Sequence, residues 1–167
     1  MRMVSFDFEE KRIREEINKR KARRVLIQLP EGLKAEGPRL AALAEKAGAL
    51  AIVSADPCYG SCDLATSDAE SLGADLLVHY GHSEMIKQEK LSTIYIEAKS
   101  RVSVKGTVRK AIPYLKQWKN IGLVTTVQHI NALHEARESL LKAGKTVAVG
   151  DTGHVKYAGQ VTGCDYS

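Results

Sequence analysis

The segment VLIQLPEG at residues 25–32 decides the fold, because an apolar strand is followed at once by proline and glycine. A short apolar run that is flanked by charge and ends at proline is typical of a strand buried on both faces of a parallel sheet. Outward from it, a helix is predicted over 8–21, the strand over 25–29, a second helix over 39–46 and a second strand over 50–54.

The alternation of strand and helix continues to the end of the chain. The first unit goes on with a predicted helix over 63–72, which ends at Gly73, and with strands over 75–80 and 93–97. Glycine after the last helical residue is a common C-terminal cap. The order then restarts with a helix over 104–119, interrupted at Pro113, a strand over 121–125, a helix over 131–142 and a strand over 146–149.

A shift of 96 residues superimposes the two halves. The matched segments are 25–29 with 121–125, 46–48 with 142–144, and Cys62-Asp63 with Cys164-Asp165, where the second loop is six residues longer. Several matches in one order indicate a duplicated unit. We therefore predict an α/β protein of tandem homologous parallel-sheet domains, with a complete first domain at 1–102 and a truncated second domain at 103–167.

The composition indicates a globular protein, with 167 residues of which 44% are hydrophobic and 27% charged. The net charge of +5 is concentrated in 11–24 and 104–119, where solvated helix faces are expected. Only two Phe and one Trp are present, so no aromatic platform for RNA is visible and direct nucleic-acid binding is not expected. No apolar stretch has the length of a secretory signal or a membrane span, and we predict a cytoplasmic protein with no membrane association.

The unusual residues follow the ends of the predicted strands, which is where parallel α/β proteins bind ligands. In the first unit these residues are Glu31 and Gly32 after the first strand, and Gly81, His82 and Ser83 after the third. In the second unit they are Gln128 and His129. His82 and His129 are candidates for binding or proton transfer. The clustering of such residues at one edge predicts a site there.

The three cysteines, Cys58, Cys62 and Cys164, are an odd number, which in a reducing compartment favours metal binding, catalysis or burial over disulfides. Thiolates suit iron–sulfur clusters, and glycines at 60 and 163 would let the backbone approach one. The repeat selects Cys62, and not Cys58, as the equivalent of Cys164. Two alternatives stay open here: buried thiols without a ligand, and a zinc site of Cys58 and Cys62 with His79 or His82. His79 lies in an apolar strand, which is more typical of a core histidine.

Five segments, in order over nearly the whole chain, resemble the diphthamide-synthesis 2-(3-amino-3-carboxypropyl)histidine synthase family: 28–33, 59–63, 76–83, 126–129 and 159–165. In that family three homologous α/β domains surround one 4Fe–4S cluster, and each contributes one cysteine. The resemblance implies that the Tyr-Gly-x-Cys stretch supplies Cys62 and the later Gly-Cys pair supplies Cys164. Cys58 lies outside the family pattern, and the third ligand would belong to a domain absent from this sequence.

The resemblance also implies a noncanonical radical reaction. The 3-amino-3-carboxypropyl group of S-adenosylmethionine is transferred to a histidine of translation elongation factor 2, with the cluster supplying an electron. It implies an electron donor, a homodimer of the intact protein and no activity of this span alone. The set that would hold the cofactor or the target loop is Glu31, Gly32, Gly81, His82, Ser83, Gln128 and His129, and no catalytic acid or base is assigned.

Three other functions stay open at this point. A quinolinate synthase-like dehydratase would use the open iron of its cluster as a Lewis acid. A noncatalytic partner subunit would bind elongation factor 2 while a second chain carries out the chemistry. A plain α/β module with buried thiols would have no cluster at all.

Overall fold

A computed structural model of the chain describes residues 6–85 and 91–163. The strands are β1 (Phe6–Asp7), β2 (Arg24–Gln28), β3 (Leu50–Val53), β4 (Leu76–Tyr80), β5 (Thr93–Ile96), β6 (Lys99–Ser100), β7 (Asn120–Leu123) and β8 (Thr146–Val149). The α-helices are α1 (Glu10–Arg20), α2 (Gly37–Lys46), α3 (Thr66–Ser71), α4 (Lys105–Ala111) and α5 (Ile130–Lys142), and 3-10 helices cover Glu31–Glu36, Ile112–Leu115 and Val127–His129.

The chain divides into two compact units, one over Phe8–Ala98 and the other combining the first seven residues with Lys99–Ser167. Each has a parallel strand pair, so the predicted α/β class with a parallel sheet is confirmed. The predicted domains 1–102 and 103–167, and the truncation of the second, stay predictions. They concern descent from one duplicated unit, whereas the two units described here are defined only by their compactness. No helix in the described part of the chain is long and apolar enough to cross a membrane.

The unit over 8–98 is built on a four-stranded parallel sheet in the order β3-β2-β4-β5. The central strands β2 and β4 are in register, with Leu26 opposite Leu77. Both leucines are almost fully buried, and they form one apolar cluster with Ala69 of α3. Burying a leucine side chain stabilises the fold by about 2 kcal/mol, so the apolar run that sequence analysis singled out lies in the core.

The two strand–helix–strand segments have the same local geometry at an offset of 96 residues. Arg24 pairs with Leu50 in one, and Asn120 pairs with Thr146 in the other. Two residues after the end of each helix comes a glycine with positive φ, 92° at Gly48 and 76° at Gly144. In both segments, the residue before the glycine donates its backbone N–H to the carbonyl three residues earlier, and the glycine does the same. Homology of the two units as domains remains a prediction.

Two predicted helices differ from those observed. The helix predicted over 63–72 begins only at Thr66, because backbone groups just before it bond to a side chain of β2. The helix predicted over 104–119 ends already at Leu115, and its predicted interruption at Pro113 is confirmed, since α4 is followed there by a 3-10 helix. Proline has no N–H to continue the α-helical ladder, which explains the change. The short antiparallel pair of β1 with β6 was not predicted.

Candidate functional site

The strand order places a topological switch point between β2 and β4. The chain moves from β2 outward to β3 and then returns across β2 to β4 and β5. Ligands of open α/β sheets bind beyond the carboxyl ends of the strands at such a point. The loops that follow β2, β3 and β4 all start at this edge, and they carry the predicted site residues of this unit.

The loop after β3 presents the Cys62 thiol to solvent. Cys62 is exposed, and a turn from the Asp63 N–H to the Gly60 carbonyl, 3.0 Å, encloses it. The Asp63 carboxylate accepts a hydrogen bond of 3.1 Å from the Tyr59 N–H and closes the loop. A Cβ atom at residue 60 would lie 3.2 Å from Cys62 Sγ, so glycine leaves one side of the sulfur open. This accessible soft donor fits a ligand to iron.

Gln28, at the end of β2, fixes the position of this loop. It is buried at 3% exposure. Its side-chain amide donates to the Asp63 carbonyl at 2.7 Å and accepts from the Ala65 N–H at 3.2 Å. Gln28 was not among the predicted site residues, although a polar residue inside an apolar strand was a visible sign of such a role.

His79 lies at the end of β4 in the core, as its apolar surroundings in the sequence indicated. It is fully buried, and its Nδ1 lies 2.8 Å from Gln28 Oε1. Burial is the main cause that lowers the pKa of His79, to about 3, and the neighbouring His82 lowers it further. His79 is therefore a neutral imidazole at physiological pH.

His82 and Cys58 lie next to His79. His82 Nδ1 is 2.9 Å from His79 Nε2, and burial lowers the pKa of His82 against the opposing effect of Asp63. Cys58 is 5% exposed, and burial followed by the charge of Asp63 raises its pKa to about 11. One ligand atom from each of the three residues lies within 4.8 Å of the others. Cys58 was predicted from the sequence only as a neighbour of the cluster ligand or as one member of an alternative zinc site.

The other predicted residues of this unit have different environments. Glu31 and Gly32 are exposed at the start of the 3-10 helix after β2. Gly81 has φ 86°, and a Cβ there would lie 2.8 Å from Pro30 Cγ, so the loops after β2 and β4 pack closely. The Ser83 hydroxyl donates to the Glu97 carboxylate at 3.2 Å, and both residues are buried. Gly81 and Ser83 thus shape the edge, while Glu31 and Gly32 are accessible.

In the second unit, Gln128 and His129 lie in the 3-10 helix between β7 and α5, and His129 is exposed. The segment after β8 returns to the carboxyl end of β7, where Gln160 bridges to Thr125 in parallel. The Thr125 N–H donates to the Gly159 carbonyl at 2.8 Å, and the Val161 N–H donates to the Thr125 carbonyl at 2.9 Å. Cys164 follows this segment in sequence but lies outside the described residues.

The family model for diphthamide synthesis proteins matches residues 29–167. The chain belongs to this family. The resemblance inferred from the sequence is therefore confirmed.

Two curated relatives of this chain have closely related names. The 2-(3-amino-3-carboxypropyl)histidine synthase of Pyrococcus horikoshii is 38% identical over 157 residues, which cover 93% of this chain and 46% of the relative. Subunit 1 of the enzyme of the same name from Schizosaccharomyces pombe is 33% identical over 127 residues, 74% of this chain and 29% of the relative. The chain spans about half the length of the archaeal relative.

Two solved structures show the same fold. The crystal structure of Dph2 from Pyrococcus horikoshii matches with a TM-score of 0.87 at 37% identity, over 96% of this chain and 48% of that one. A crystal structure of the same protein with a 4Fe–4S cluster matches with a TM-score of 0.85. Both curated relatives bear the name of an enzyme.

Proposed function

We propose that this chain is part of an enzyme that transfers the 3-amino-3-carboxypropyl group of S-adenosylmethionine to a histidine of translation elongation factor 2. The observation that carries the proposal is the exposed Cys62 thiol, held by a hydrogen-bonded loop at the switch point of the sheet. A relative of 37% identity has a 4Fe–4S cluster, and a loop-borne thiol is the kind of ligand that such a cluster requires.

Cys62 and Cys164 are the proposed cluster ligands of this chain. Cys62 is positioned by Gln28 through the backbone of residues 63 and 65. Cys164 is assigned from the repeat and from the family resemblance. We place the third ligand in a part of the protein outside these 167 residues, in line with relatives about twice as long. The bound cluster would supply an electron and one open coordination position for S-adenosylmethionine.

The protein's own contribution is to bind and orient the reactants and to keep water away from them. Glu31, Gly32, Gln128 and His129 are proposed to contact the cofactor or the target loop, because they follow strands at the carboxyl edge of their units. Gly81, His82 and Ser83 shape the loop after β4. We further propose a cytoplasmic homodimer of the intact protein that receives its electron from a separate donor.

Anaerobic reconstitution of the full-length protein with iron and sulfide tests the cluster. We expect a 4Fe–4S absorbance that is lost in Cys62→Ala and in Cys164→Ala. Tyr59→Phe, a change at an exposed neighbour in the same loop, serves as the control and should retain the cluster. Full iron content in Cys62→Ala would refute the ligand assignment.

Assay of the reconstituted protein with labelled S-adenosylmethionine and elongation factor 2 tests the reaction. We expect methylthioadenosine release and transfer of the labelled carboxypropyl carbons to the factor. A cluster that leaves S-adenosylmethionine intact would instead favour a quinolinate synthase-like dehydratase. Transfer that occurs only after a second chain is added would favour the noncatalytic partner subunit.

A further inference from the structure

Three side chains with metal-ligand chemistry converge at the carboxyl edge of the first sheet. They do not include Cys62, the exposed thiol proposed as a cluster ligand. They are Cys58 in the loop after β3 and His79 and His82 at the end of β4, with one ligand atom from each within 4.8 Å of the others. We propose that these three residues bind a divalent ion of the zinc class at a site separate from Cys62.

The hydrogen bonds of Gln28 orient His79 for this role. The Gln28 oxygen is identified by its backbone partner, since the Ala65 N–H can only donate. The same oxygen lies 2.8 Å from His79 Nδ1, so Nδ1 carries the proton and Nε2 keeps its lone pair. Ligating histidines commonly donate their other ring N–H to an oxygen acceptor, which fixes the ring and its tautomer. Gln28 is such an acceptor.

The distances suit a tetrahedral ion. Ligand atoms at about 2.0–2.3 Å from zinc lie about 3.3–3.8 Å from one another. The present separations run from 2.9 Å, between His79 Nε2 and His82 Nδ1, up to the 4.8 Å limit of the group. Small side-chain movements would therefore complete the site. Half-buried His82 gives an ion access from solvent, while His79 and Cys58 are buried.

The donor set decides the class of metal. One thiolate and two neutral imidazoles suit zinc or cobalt and do not suit magnesium or calcium, which prefer oxygen. On binding, the Cys58 thiol releases its proton to solvent, and the hydrogen bond between the two rings is replaced by two bonds to the ion. If His82 binds through Nδ1, it takes the tautomer with its proton on Nε2. Three protein ligands leave a fourth position for water.

The site would join two loops of the proposed cluster region. Cys58 precedes Cys62 by four residues in the loop after β3, whereas both histidines belong to β4 and its loop. A bound ion would fasten the Cys62 loop to β4 in addition to the Gln28 hydrogen bonds. The inference uses only residues of the first unit, and it does not require that a cluster be present.

Cobalt titration of the full chain tests the site. The parent is the Cys62→Ser, Cys164→Ser double variant, treated with chelator, so that the proposed cluster thiols cannot bind cobalt. We expect one equivalent to bind, with a thiolate-to-cobalt charge-transfer band and the intense visible bands of a tetrahedral ion. Adding Cys58→Ser should remove the charge-transfer band, and adding His82→Gln should weaken binding at least tenfold. A parent without the band, or a Cys58→Ser variant that keeps it, overturns the proposal.

X-ray absorption of zinc bound to the parent provides a measurement that needs no further substitution. One sulfur and two nitrogen neighbours are expected, and a shell of oxygen atoms alone would refute the site. The result is separate from the proposed transferase function, because cobalt should bind to a protein that cannot assemble the cluster. Cluster assembly in the wild type without any cobalt binding by the parent would overturn this inference and leave the proposed function intact.

Discussion

Gln28 Oε1 lies 2.8 Å from His79 Nδ1 and thereby links the end of β2 to the end of β4 within the core. The same amide holds the backbone of residues 63 and 65, so one side chain joins the Cys62 loop, β2 and β4. Such a buried network contributes to stability only when all its members are satisfied. The stability of this edge therefore depends on residue 28.

Gln28→Leu should lower the free energy of unfolding by about 3 kcal/mol, because it leaves the buried His79 donor and the half-buried Ala65 N–H without their acceptor. Urea denaturation at neutral pH in the presence of chelator measures the change. Gln117→Leu, at an exposed position, serves as the control and should change stability by less than about 0.5 kcal/mol. Equal effects of the two substitutions would show that the Gln28 hydrogen bonds do not stabilise the fold.

Cys62 should be alkylated much faster than Cys58 in the folded, metal-free protein. Cys62 is exposed, whereas Cys58 is buried and its pKa is raised from 9.0 to about 11. Such a rise lowers the thiolate fraction near neutral pH about 100-fold, and only the thiolate reacts. Peptide mass spectrometry after timed treatment with iodoacetamide gives both rates.

The unfolded protein is the control for this comparison. In concentrated urea both cysteines should react at similar rates, because burial no longer separates them. Similar rates in the native protein would contradict the burial of Cys58 and the exposure of Cys62.

The sequence was sufficient to predict the parallel α/β class and the offset between the two strand–helix–strand segments. Apolar strands and glycine-capped helices are encoded locally, which explains why the register of β2 with β3 recurs in β7 with β8. Sequence analysis left a site of Cys58 with His79 or His82 only as an open alternative, and local pattern could not decide whether these residues come together. This depends on the order of β3, β2 and β4 in the sheet, which brings loops distant in sequence to one edge.

The start of α3 is a second feature that local sequence could not predict. Local pattern predicted a helix from Asp63, but the Asp63 carbonyl and the Ala65 N–H bond to Gln28 from another strand. A tertiary contact of this kind overrides helical propensity. The additional loop residues between Cys62 and the start of α3 are therefore a property of the folded sheet.

Asp75→Asn should reduce the loss of stability on acidification. The Asp75 carboxylate accepts hydrogen bonds from the Arg23 and Arg24 N–H groups at 2.7 and 2.9 Å, and these bonds are the main causes that lower its pKa below 3.8. A carboxylate with a lowered folded-state pKa stabilises the fold above its unfolded-state pKa, and this contribution disappears as the pH falls through the folded-state value.

Urea midpoints measured at several pH values from about 6 down to about 3 check this expectation. The wild type should lose more stability over that range than Asp75→Asn. Asp151→Asn, at an exposed position in the loop after β8, should follow the wild type. Parallel curves for wild type and Asp75→Asn would exclude a stabilising role of the carboxylate charge.

Gly159→Ala should destabilise the second unit by about 2 kcal/mol or more. Alanine would have a strained backbone conformation there, and its Cβ would overlap neighbouring side chains. Gly159 has φ 74°, and a Cβ there would lie 2.6 Å from Leu133 Cδ2 and 2.7 Å from Val149 Cγ1. Gly150 accepts the Gly159 N–H, yet a Cβ at residue 150 would meet no atom within 4 Å. Gly150→Ala should therefore keep stability or raise it by up to about 1 kcal/mol.

Gly159→Ala and Gly150→Ala also test whether the packing around residue 159 affects binding of the proposed cluster. Gly159 directs the chain back along Thr125 toward the segment that precedes Cys164. Gly159→Ala in the full-length protein should lower iron incorporation under anaerobic reconstitution, whereas Gly150→Ala should not. If urea denaturation shows the expected loss for Gly159→Ala while its iron content equals that of the wild type, this turn does not position Cys164, and that ligand assignment would rest on sequence alone.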